Sequence, residues 1–198
     1  MERGLLITGI GGQGVQLAGT VLARSAIAEG RQVQLFGSYG GMMRGGNTEV
    51  NLVVADAPIT SPPTVATAWA AIVMHHDYSA PTFAKCRPGS IVFVNSSVFE
   101  GGLDRDAWTV VDVPAMDMAV DLGNALLGSM VMTGAFARVT GLVDLESLRL
   151  AVTGALPSYR ERLVAANIAA LELGWQHVDA PLADAWSATT DQAGASTR

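Results

Sequence analysis

The sequence is poor in cysteine and histidine, and this shortage excludes several kinds of site. Among 198 residues there is one cysteine, Cys86, and there are three histidines, His75, His76 and His177. A single cysteine forms no internal disulfide and cannot by itself hold an iron–sulfur cluster. His75 and His76 are adjacent, so on a strand their side chains would point to opposite faces and could not bind one metal ion together. We therefore predict no metal site in this chain.

Charged residues and long apolar runs are also scarce. Only 15% of the residues are charged, and the net charge of −6 disfavours nucleic acid as a partner. No run of about 18 consecutive apolar residues occurs, so no membrane span is predicted. The start of the chain, Met1-Glu2-Arg3, does not resemble a signal peptide, and we predict a cytoplasmic protein. So few charges cannot coat a whole surface, which indicates that other chains cover part of it.

No group is placed for difficult chemistry. No Ser, Cys or Lys lies in a setting typical of an activated nucleophile, and Gly14 is not followed by the Lys and Ser or Thr of a P-loop. Cys86 lies between Lys85 and Arg87, which are cations of a kind that can lower a thiol pKa. We favour the simpler interpretation of a half-buried residue near a helix end. The chain is therefore predicted to carry no catalytic residue.

Apolar periodicity predicts strands that alternate with helices and then give way to helices alone. The strands are predicted at residues 4–10, 32–36, 48–55, 70–74, 90–95 and 109–113. The helices are predicted at residues 15–28, 78–85, 115–122, 124–139, 144–154 and 158–174. This order predicts an α/β fold with an open, Rossmann-like, mostly parallel sheet flanked by helices and a helical C-terminal portion. One domain, residues 1–178, is followed by a predicted flexible C-terminal tail, residues 179–198.

A glycine-rich turn joins the first predicted strand to the first helix. Gly9, Gly11 and Gly14 meet the G-x-G-x-x-G spacing. Such a turn points backbone N–H groups and a helix N-terminus at an anionic group, usually a phosphate. Gln13 lies at the start of the helix, where its amide could bond to a ligand phosphate or to a neighbouring chain. The alternative is that Gly11 and Gly12 only permit a tight turn and close packing.

The second half of a dinucleotide signature is missing. In an NAD site, an Asp or Glu at the end of the second strand binds the ribose hydroxyls. Here that strand ends at Phe36-Gly37-Ser38, and the closest acid downstream is Glu49. No arginine lies at the strand tip for a 2′-phosphate. The glycine motif therefore remains, while the hypothesis of a bound dinucleotide loses its specificity.

A second glycine-rich loop spans residues 39–47 and contains Tyr39, Arg44, Gly45 and Gly46. Glycines on both sides would let Arg44 bind a carboxylate or phosphate bidentately. The alternative is a local pairing of Arg44 with an aspartate or a carbonyl. Both glycine loops follow strands that we expect to lead into crossovers, and such loops gather at the carboxyl edge of an open α/β sheet. The two loops are therefore predicted to form one surface.

In combination, these motifs resemble the gamma subunit of 2-oxoacid:acceptor oxidoreductases. That family comprises the pyruvate, 2-oxoglutarate, indolepyruvate and phenylglyoxylate ferredoxin-type enzymes. The resemblance runs from residue 4 to about residue 175, and several motifs occur in the same order. They lie at residues 9–15, 39–46, 56–62, 88–97, 123–135 and 167–174.

The resemblance implies a part in a larger enzyme, an oxidoreductase that acts on an oxo group. The family oxidatively decarboxylates a 2-oxoacid to an acyl-CoA and passes electrons through iron–sulfur clusters to ferredoxin or a similar acceptor. Thiamine diphosphate, Mg²⁺ and the clusters are then expected on alpha and beta subunits and on a ferredoxin-like subunit. This chain would be a non-redox gamma subunit that is inactive alone, and a homodimer is one form that the isolated chain could take.

The resemblance also implies that this chain contributes to coenzyme A binding and to assembly, although it binds no cofactor alone. The residues predicted to meet coenzyme A at its surface are those of the two glycine loops: Gly9, Gly11, Gly12, Gln13, Gly14, Tyr39, Arg44, Gly45 and Gly46. Two alternatives stay open. One is a free-standing NAD(P)-binding oxidoreductase, and the other is a purely structural subunit whose glycine loops touch only protein.

Overall fold

A six-stranded sheet orders the fold in a computed structural model that describes residues 1–39, 45–179, 181–182 and 184–187. The strands are β1 (Glu2–Ile10), β2 (Gln32–Tyr39), β3 (Asn47–Ala55), β4 (Ala68–Val73), β5 (Cys86–Asn95) and β6 (Thr109–Val113). The helices are α1 (Val15–Ala28), α2 (Ala80–Phe83), α3 (Ala115–Asp121), α4 (Gly128–Thr140), α5 (Leu145–Ala155) and α6 (Val164–His177). Short 3₁₀ helices lie at Ala125–Leu127 and Ser158–Leu163. Within the described residues, no helix combines the length and apolarity that crossing a bilayer requires.

The strand order β2-β3-β1-β4-β5-β6 confirms the predicted α/β class. The pairs β1–β4, β4–β5 and β5–β6 are parallel, whereas β1–β3 and β2–β3 are antiparallel. The prediction of a crossover after the second glycine loop is wrong, because β2 and β3 form a hairpin. The connection, residues 40–46, is too short for a crossover, which needs about a dozen residues or more.

Both faces of the sheet are covered, which explains why its central strands are almost uniformly apolar. All six residues of β4 are buried. On one face, Leu5 and Ile72 join a large core with α1, α4, α5 and α6. On the other face, Leu6 packs under Val65 of the connection between β3 and β4. A third cluster packs Val92 and its neighbours against the aromatic side chains that follow β4 and β5.

Helices α4 and α6 touch through their backbones. Every residue of α4 except Arg138 is buried. A Cβ atom on Gly134 would lie 1.9 Å from the carbonyl oxygen of Leu171, and one on Gly174 would lie 1.9 Å from that of Val131. Each glycine therefore permits a helix approach that no larger residue allows.

Part of the predicted C-terminal tail contacts the domain. Among residues 184–187, Ala185 is fully buried, and its carbonyl oxygen accepts a hydrogen bond of 2.6 Å from Nε of Arg3. The indole N–H of Trp186 donates to a backbone carbonyl just after α4, over 3.1 Å. Ala185 and Trp186 are thus held against the domain. Residues 188–198 lie outside the described residues, so a flexible tail there stays a prediction.

Strand β2 is an edge of the sheet and pairs only with β3 among the described residues. Its eight residues, Gln-Val-Gln-Leu-Phe-Gly-Ser-Tyr, include no charged residue and no proline. Leu35 and Phe36 on this strand are 42% and 47% exposed. The edge therefore lacks the charges and prolines by which proteins usually block strand addition.

Candidate functional site

The sheet has a topological switch point between β1 and β4. From β1 the chain passes through α1 to β2 on one side, and from β4 it passes through α2 to β5 on the other. The carboxyl ends of β1 and β4 are adjacent and parallel, so they flank a crevice. Ligands of open α/β sheets bind at such a crevice. The glycine turn, residues 11–14, borders it on one side and residues 75–77 border it on the other.

The glycine turn has a backbone that requires glycine at two positions. Gly12 and Gly14 have φ values of 103° and 77°, in the left-handed region. A Cβ atom on Gly14 would also lie 2.3 Å from Oγ of the buried Ser129 in α4. Helix α1 begins directly afterwards at Val15, and no side chain caps it. Its first-turn N–H groups lack partners within the helix, so they can donate hydrogen bonds to an anionic group at the turn.

The side chain of Gln13 bonds within the protein. Its Oε1 accepts a hydrogen bond from the N–H of Ile10 over 3.0 Å, and its Nε2 donates to the carbonyl oxygen of Met74 over 3.4 Å. Gly9 lies against the same amide, since a Cβ atom there would be 2.7 Å from Oε1 of Gln13. The amide thus closes the turn and links the end of β1 to the end of β4. A ligand contact by Gln13 would have to compete with these bonds.

The two glycine loops are neighbours, as the sequence predicts. The N–H of Gly11 donates to the carbonyl oxygen of Gly46 over 2.8 Å, and Gly45 is exposed beside it. The hairpin explains this, because β2 runs parallel in direction to β1 and ends at the same edge of the sheet. The side chain of Tyr39, together with Arg44 and the four residues before it, lies outside the described residues. The anion-binding role of Arg44 stays a prediction.

A cavity of about 200 Å³ opens beside the glycine turn. Gly12 and Gly14 form one wall, and five leucines form most of the remainder: Leu17, Leu126, Leu127, Leu156 and Leu163. The polar side chains that line it are Asn124, Arg160 and Asn167. An apolar cavity with a few polar groups is the usual form of a small-molecule site.

Among the residues that the structure describes, Arg160 is the only ionisable one that lines this cavity. Its guanidinium and the N-terminus of α1 both favour an anion, and a guanidinium binds phosphate bidentately. Sequence reasoning missed Arg160 because it follows the glycine turn by well over one hundred residues, in the 3₁₀ helix Ser158–Leu163. No motif surrounds it, and only the packing of the C-terminal helices brings it to the turn.

The histidine pair does not have the geometry assumed from the sequence. Strand β4 ends at Val73, so His75 and His76 lie beyond it and do not alternate between faces. Their ring centroids are 4.3 Å apart with an angle of 33° between the planes. The two rings therefore lie on one side, next to Asp77, and the prediction that they point to opposite faces is wrong.

Cys86 is not an activated thiol. Burial raises the pKa of the Cys86 thiol from 9.0 to about 11. Its Sγ donates to the carbonyl oxygen of Thr82 over 3.4 Å. The neighbouring Lys85 pairs instead with Glu49, with 3.3 Å between Nζ and Oε1. The simpler interpretation made from the sequence therefore describes Cys86 correctly.

We expect this thiol to react slowly with a disulfide reagent at pH 8. A pKa of about 11 in place of 9.0 lowers the thiolate fraction about 100-fold. A thiolate of higher pKa is also intrinsically more nucleophilic, so the net rate should fall about tenfold. The chain unfolded in denaturant is the matched reference, and Cys86 is the only thiol present. Equal rates for the folded and unfolded chain would contradict the assignment.

The geometry does not complete a dinucleotide site. In the dinucleotide-binding Rossmann fold, the second strand lies beside the first. Here β3 separates β2 from β1. The end of β2 is therefore one strand too far from the glycine turn to reach the same ribose. Glu49, the nearest acid, accepts hydrogen bonds from Asn51 and Lys85 at 3.0 and 3.3 Å. The NAD(P) alternative has no support in this arrangement.

Comparisons with known proteins agree with one another. The family model described as pyruvate ferredoxin/flavodoxin oxidoreductase matches residues 4–177. The 2-oxoglutarate synthase subunit KorC of Methanocaldococcus jannaschii is 25% identical over 183 residues, which are 89% of this chain and 94% of that protein. The NADH-dependent phenylglyoxylate dehydrogenase subunit gamma of Aromatoleum evansii is 28% identical over 174 residues, 86% of this chain and 90% of that protein.

Solved structures share the fold. The gamma subunit of a keto/oxoacid ferredoxin oxidoreductase from Geobacter sulfurreducens superposes with a TM-score of 0.72 at 24% identity, over 88% of this chain and 96% of that chain. A 2-oxoglutarate:ferredoxin oxidoreductase from Magnetococcus marinus, solved with 2-oxoglutarate, coenzyme A and succinyl-CoA bound, gives a TM-score of 0.80 at 15% identity. That match covers 92% of this chain and 32% of the longer chain.

Proposed function

The chain belongs to the pyruvate ferredoxin/flavodoxin oxidoreductase family, and from this premise we propose that it is the gamma subunit of a multi-subunit 2-oxoacid oxidoreductase. The curated relatives it matches along most of their length are themselves named as subunits. The proposed assembly decarboxylates a 2-oxoacid oxidatively, forms an acyl-CoA and passes electrons to ferredoxin or a similar acceptor.

In this proposal the chain itself transfers no electrons. It has one cysteine, whose thiol is half-buried and has a raised pKa, whereas an iron–sulfur cluster needs several cysteine ligands. Thiamine diphosphate, Mg²⁺ and the clusters are assigned to alpha and beta subunits and to a ferredoxin-like subunit. The low content of charged residues, 15%, supports a surface that partner chains cover.

We further propose that the cavity beside the glycine turn binds coenzyme A through a phosphate group. The observation that carries this proposal is the meeting of an uncapped helix N-terminus, left-handed glycines and Arg160 at one cavity. A phosphate needs such donors, and the leucine walls suit the apolar stretches of the same ligand. The coenzyme A in the Magnetococcus marinus structure supports the choice of ligand. Here this chain would bind and orient coenzyme A, while the reacting groups lie on partner subunits.

Arg160→Ala is expected to raise the KM for coenzyme A by a factor of about ten or more in the assembled complex. A hydrogen bond to a charged group contributes about 1.5–3 kcal/mol, and 1.4 kcal/mol corresponds to tenfold. The kcat at saturating coenzyme A should stay unchanged, because Arg160 is assigned to binding. The measurement is 2-oxoacid-dependent reduction of a viologen dye by the purified complex. Arg162→Ala is the matched control, since Arg162 lies in the same 3₁₀ helix but does not line the cavity.

The outcomes separate the alternatives. An unchanged KM for coenzyme A in Arg160→Ala would contradict coenzyme A binding at this cavity. It would favour the alternative of a purely structural subunit. Oxidation of a 2-oxoacid by the isolated chain would contradict the assignment as a gamma subunit.

Calorimetric titration of the chain with NAD(H) and NADP(H) should be flat, and measurable binding would restore the hypothesis of a free-standing dehydrogenase.

A further inference from the structure

We propose that His75, His76 and Asp77 form a binding site for a divalent transition-metal ion of the Zn²⁺ type. Oδ2 of Asp77 lies 3.7 Å from Nδ1 of His75, and its Oδ1 lies 3.5 Å from Nε2 of His76. One ligand atom from each of the three residues lies within 4.8 Å of the others. In a tetrahedral zinc site with bonds of about 2.0 Å, ligand atoms are roughly 3.3 Å apart. Small side-chain movements would thus bring the three atoms to bonding distance.

The backbone beneath the cluster is firmly held. The three residues follow the fully buried β4 by one residue, Met74. The carbonyl oxygen of Met74 accepts hydrogen bonds from Nε2 of Gln13 and Nδ2 of Asn95, at 3.4 and 3.2 Å. On the other side, Tyr78 has a left-handed φ of 63°, which turns the chain away from the cluster. The ligands therefore project from a fixed base at the carboxyl edge of the sheet.

Hydrogen bonding prepares His76 as a metal ligand. Its Nδ1 lies 3.0 Å from the backbone carbonyl oxygen of Val98. A carbonyl oxygen only accepts, so Nδ1 carries a proton, and in the neutral ring Nε2 then keeps a lone pair. This lone pair is on the nitrogen that faces Asp77. Metal-bound histidines almost always have such a partner on the second ring nitrogen, which fixes the tautomer and the ring orientation.

His75 and Asp77 supply the remaining ligands from partly open positions. The side chains of His75 and His76 are 19% and 33% exposed, and that of Asp77 is 59% exposed. Nδ1 of His75 accepts a hydrogen bond from the N–H of Asp77 over 3.1 Å, and metal binding would exchange this bond for a metal–nitrogen bond. Two imidazoles and one carboxylate suit Zn²⁺, Co²⁺ or Ni²⁺ rather than Mg²⁺ or Ca²⁺. Water would complete the coordination on the exposed side.

The test uses the full chain with any purification tag removed. Titration with Co²⁺, followed by visible absorption, is expected to show one bound ion that Zn²⁺ displaces. His76→Gln should lower the affinity at least about tenfold, because even the indirect partners of metal ligands contribute 10–100-fold. Asp77→Asn keeps the shape of an exposed side chain and should weaken binding in the same way. His177→Gln is the matched control, since His177 lies at the end of α6 and is not a member of the cluster.

Either of two results would overturn the proposal when all the variants fold. One is the lack of Co²⁺ binding to the unmodified chain at concentrations that saturate a small imidazole–carboxylate chelator. The other is an equal loss of affinity in His177→Gln and His76→Gln, which would indicate unspecific binding to histidine. If His76→Gln does not fold, Asp77→Asn decides, because unchanged Co²⁺ affinity in that variant contradicts the site.

Discussion

Gly174→Ala is expected to lower the free energy of unfolding by about 3 kcal/mol or more. The added Cβ atom would lie 1.9 Å from the carbonyl oxygen of Val131, which belongs to the backbone of α4. No side-chain rotation relieves such a contact, so α4 and α6 would have to move apart. Gly134→Ala should have a similar effect from the other helix, because its Cβ atom would meet the carbonyl oxygen of Leu171 at the same distance.

The measurement is equilibrium unfolding in denaturant, with Gly154→Ala as the control. Gly154 lies in α5, and a Cβ atom there meets only the guanidinium of Arg24, with Nη1 at 3.0 Å and Cζ at 3.9 Å, which is the flexible end of a side chain. The same substitution should therefore stabilise this position by about 0.5 kcal/mol, since alanine favours helix more than glycine does. Similar small effects at Gly154 and Gly174 would show that the two helices are not in backbone contact.

Arg3→Met is expected to cost about 2–3 kcal/mol and to release residues 184–187. Arg3 is 1% exposed, and its Nε donates to the carbonyl oxygen of Ala185 over 2.6 Å. Its guanidinium also lies 5.2 Å from the ring centroid of Trp69. Methionine retains most of the side-chain length but removes the charge and the donors, so the segment loses its anchor.

Hydrogen exchange separates this local effect from a general loss of stability. The N–H of Ala185 donates to the carbonyl oxygen of Thr140 over 2.7 Å, so it should be protected in the unmodified chain. In Arg3→Met that protection should fall below the protection of the β4 amides. Arg24→Met is the same change at an exposed position of α1. It should leave the protection of the Ala185 amide and of the β4 amides unchanged. An Ala185 amide that stays protected in Arg3→Met would contradict the anchoring role.

Periodicity predicts local structure in this chain well. The predicted bounds of α1 and β6 agree with the structure at both ends, because apolar spacing and punctuating residues such as Gly30 are local signals. The mostly parallel sheet also follows from the alternation of strands and helices. The β2–β3 hairpin could have been predicted from the shortness of the connection alone.

The site depends on information that local patterns do not carry. The prediction of opposed histidines rested on a strand continuing through residues that lie beyond the end of β4 at Val73. The bonds of Gln13 depend on the position of Met74, which only the β1–β4 pairing establishes. Arg160 reaches the glycine turn through the packing of the C-terminal helices. For Gln13 and Arg160, a contact distant in sequence determines the chemistry.

The uncharged edge of β2 has a consequence for the supply of subunits in a cell. An exposed strand of eight residues without charge or proline is a template on which another strand can grow. A gamma subunit made in excess over its partners would present this edge to other copies of itself, and aggregation would compete with assembly. Balanced synthesis with partner chains would limit such orphan copies. The ratio of this subunit to its partners would thus affect how much of it assembles and how much aggregates.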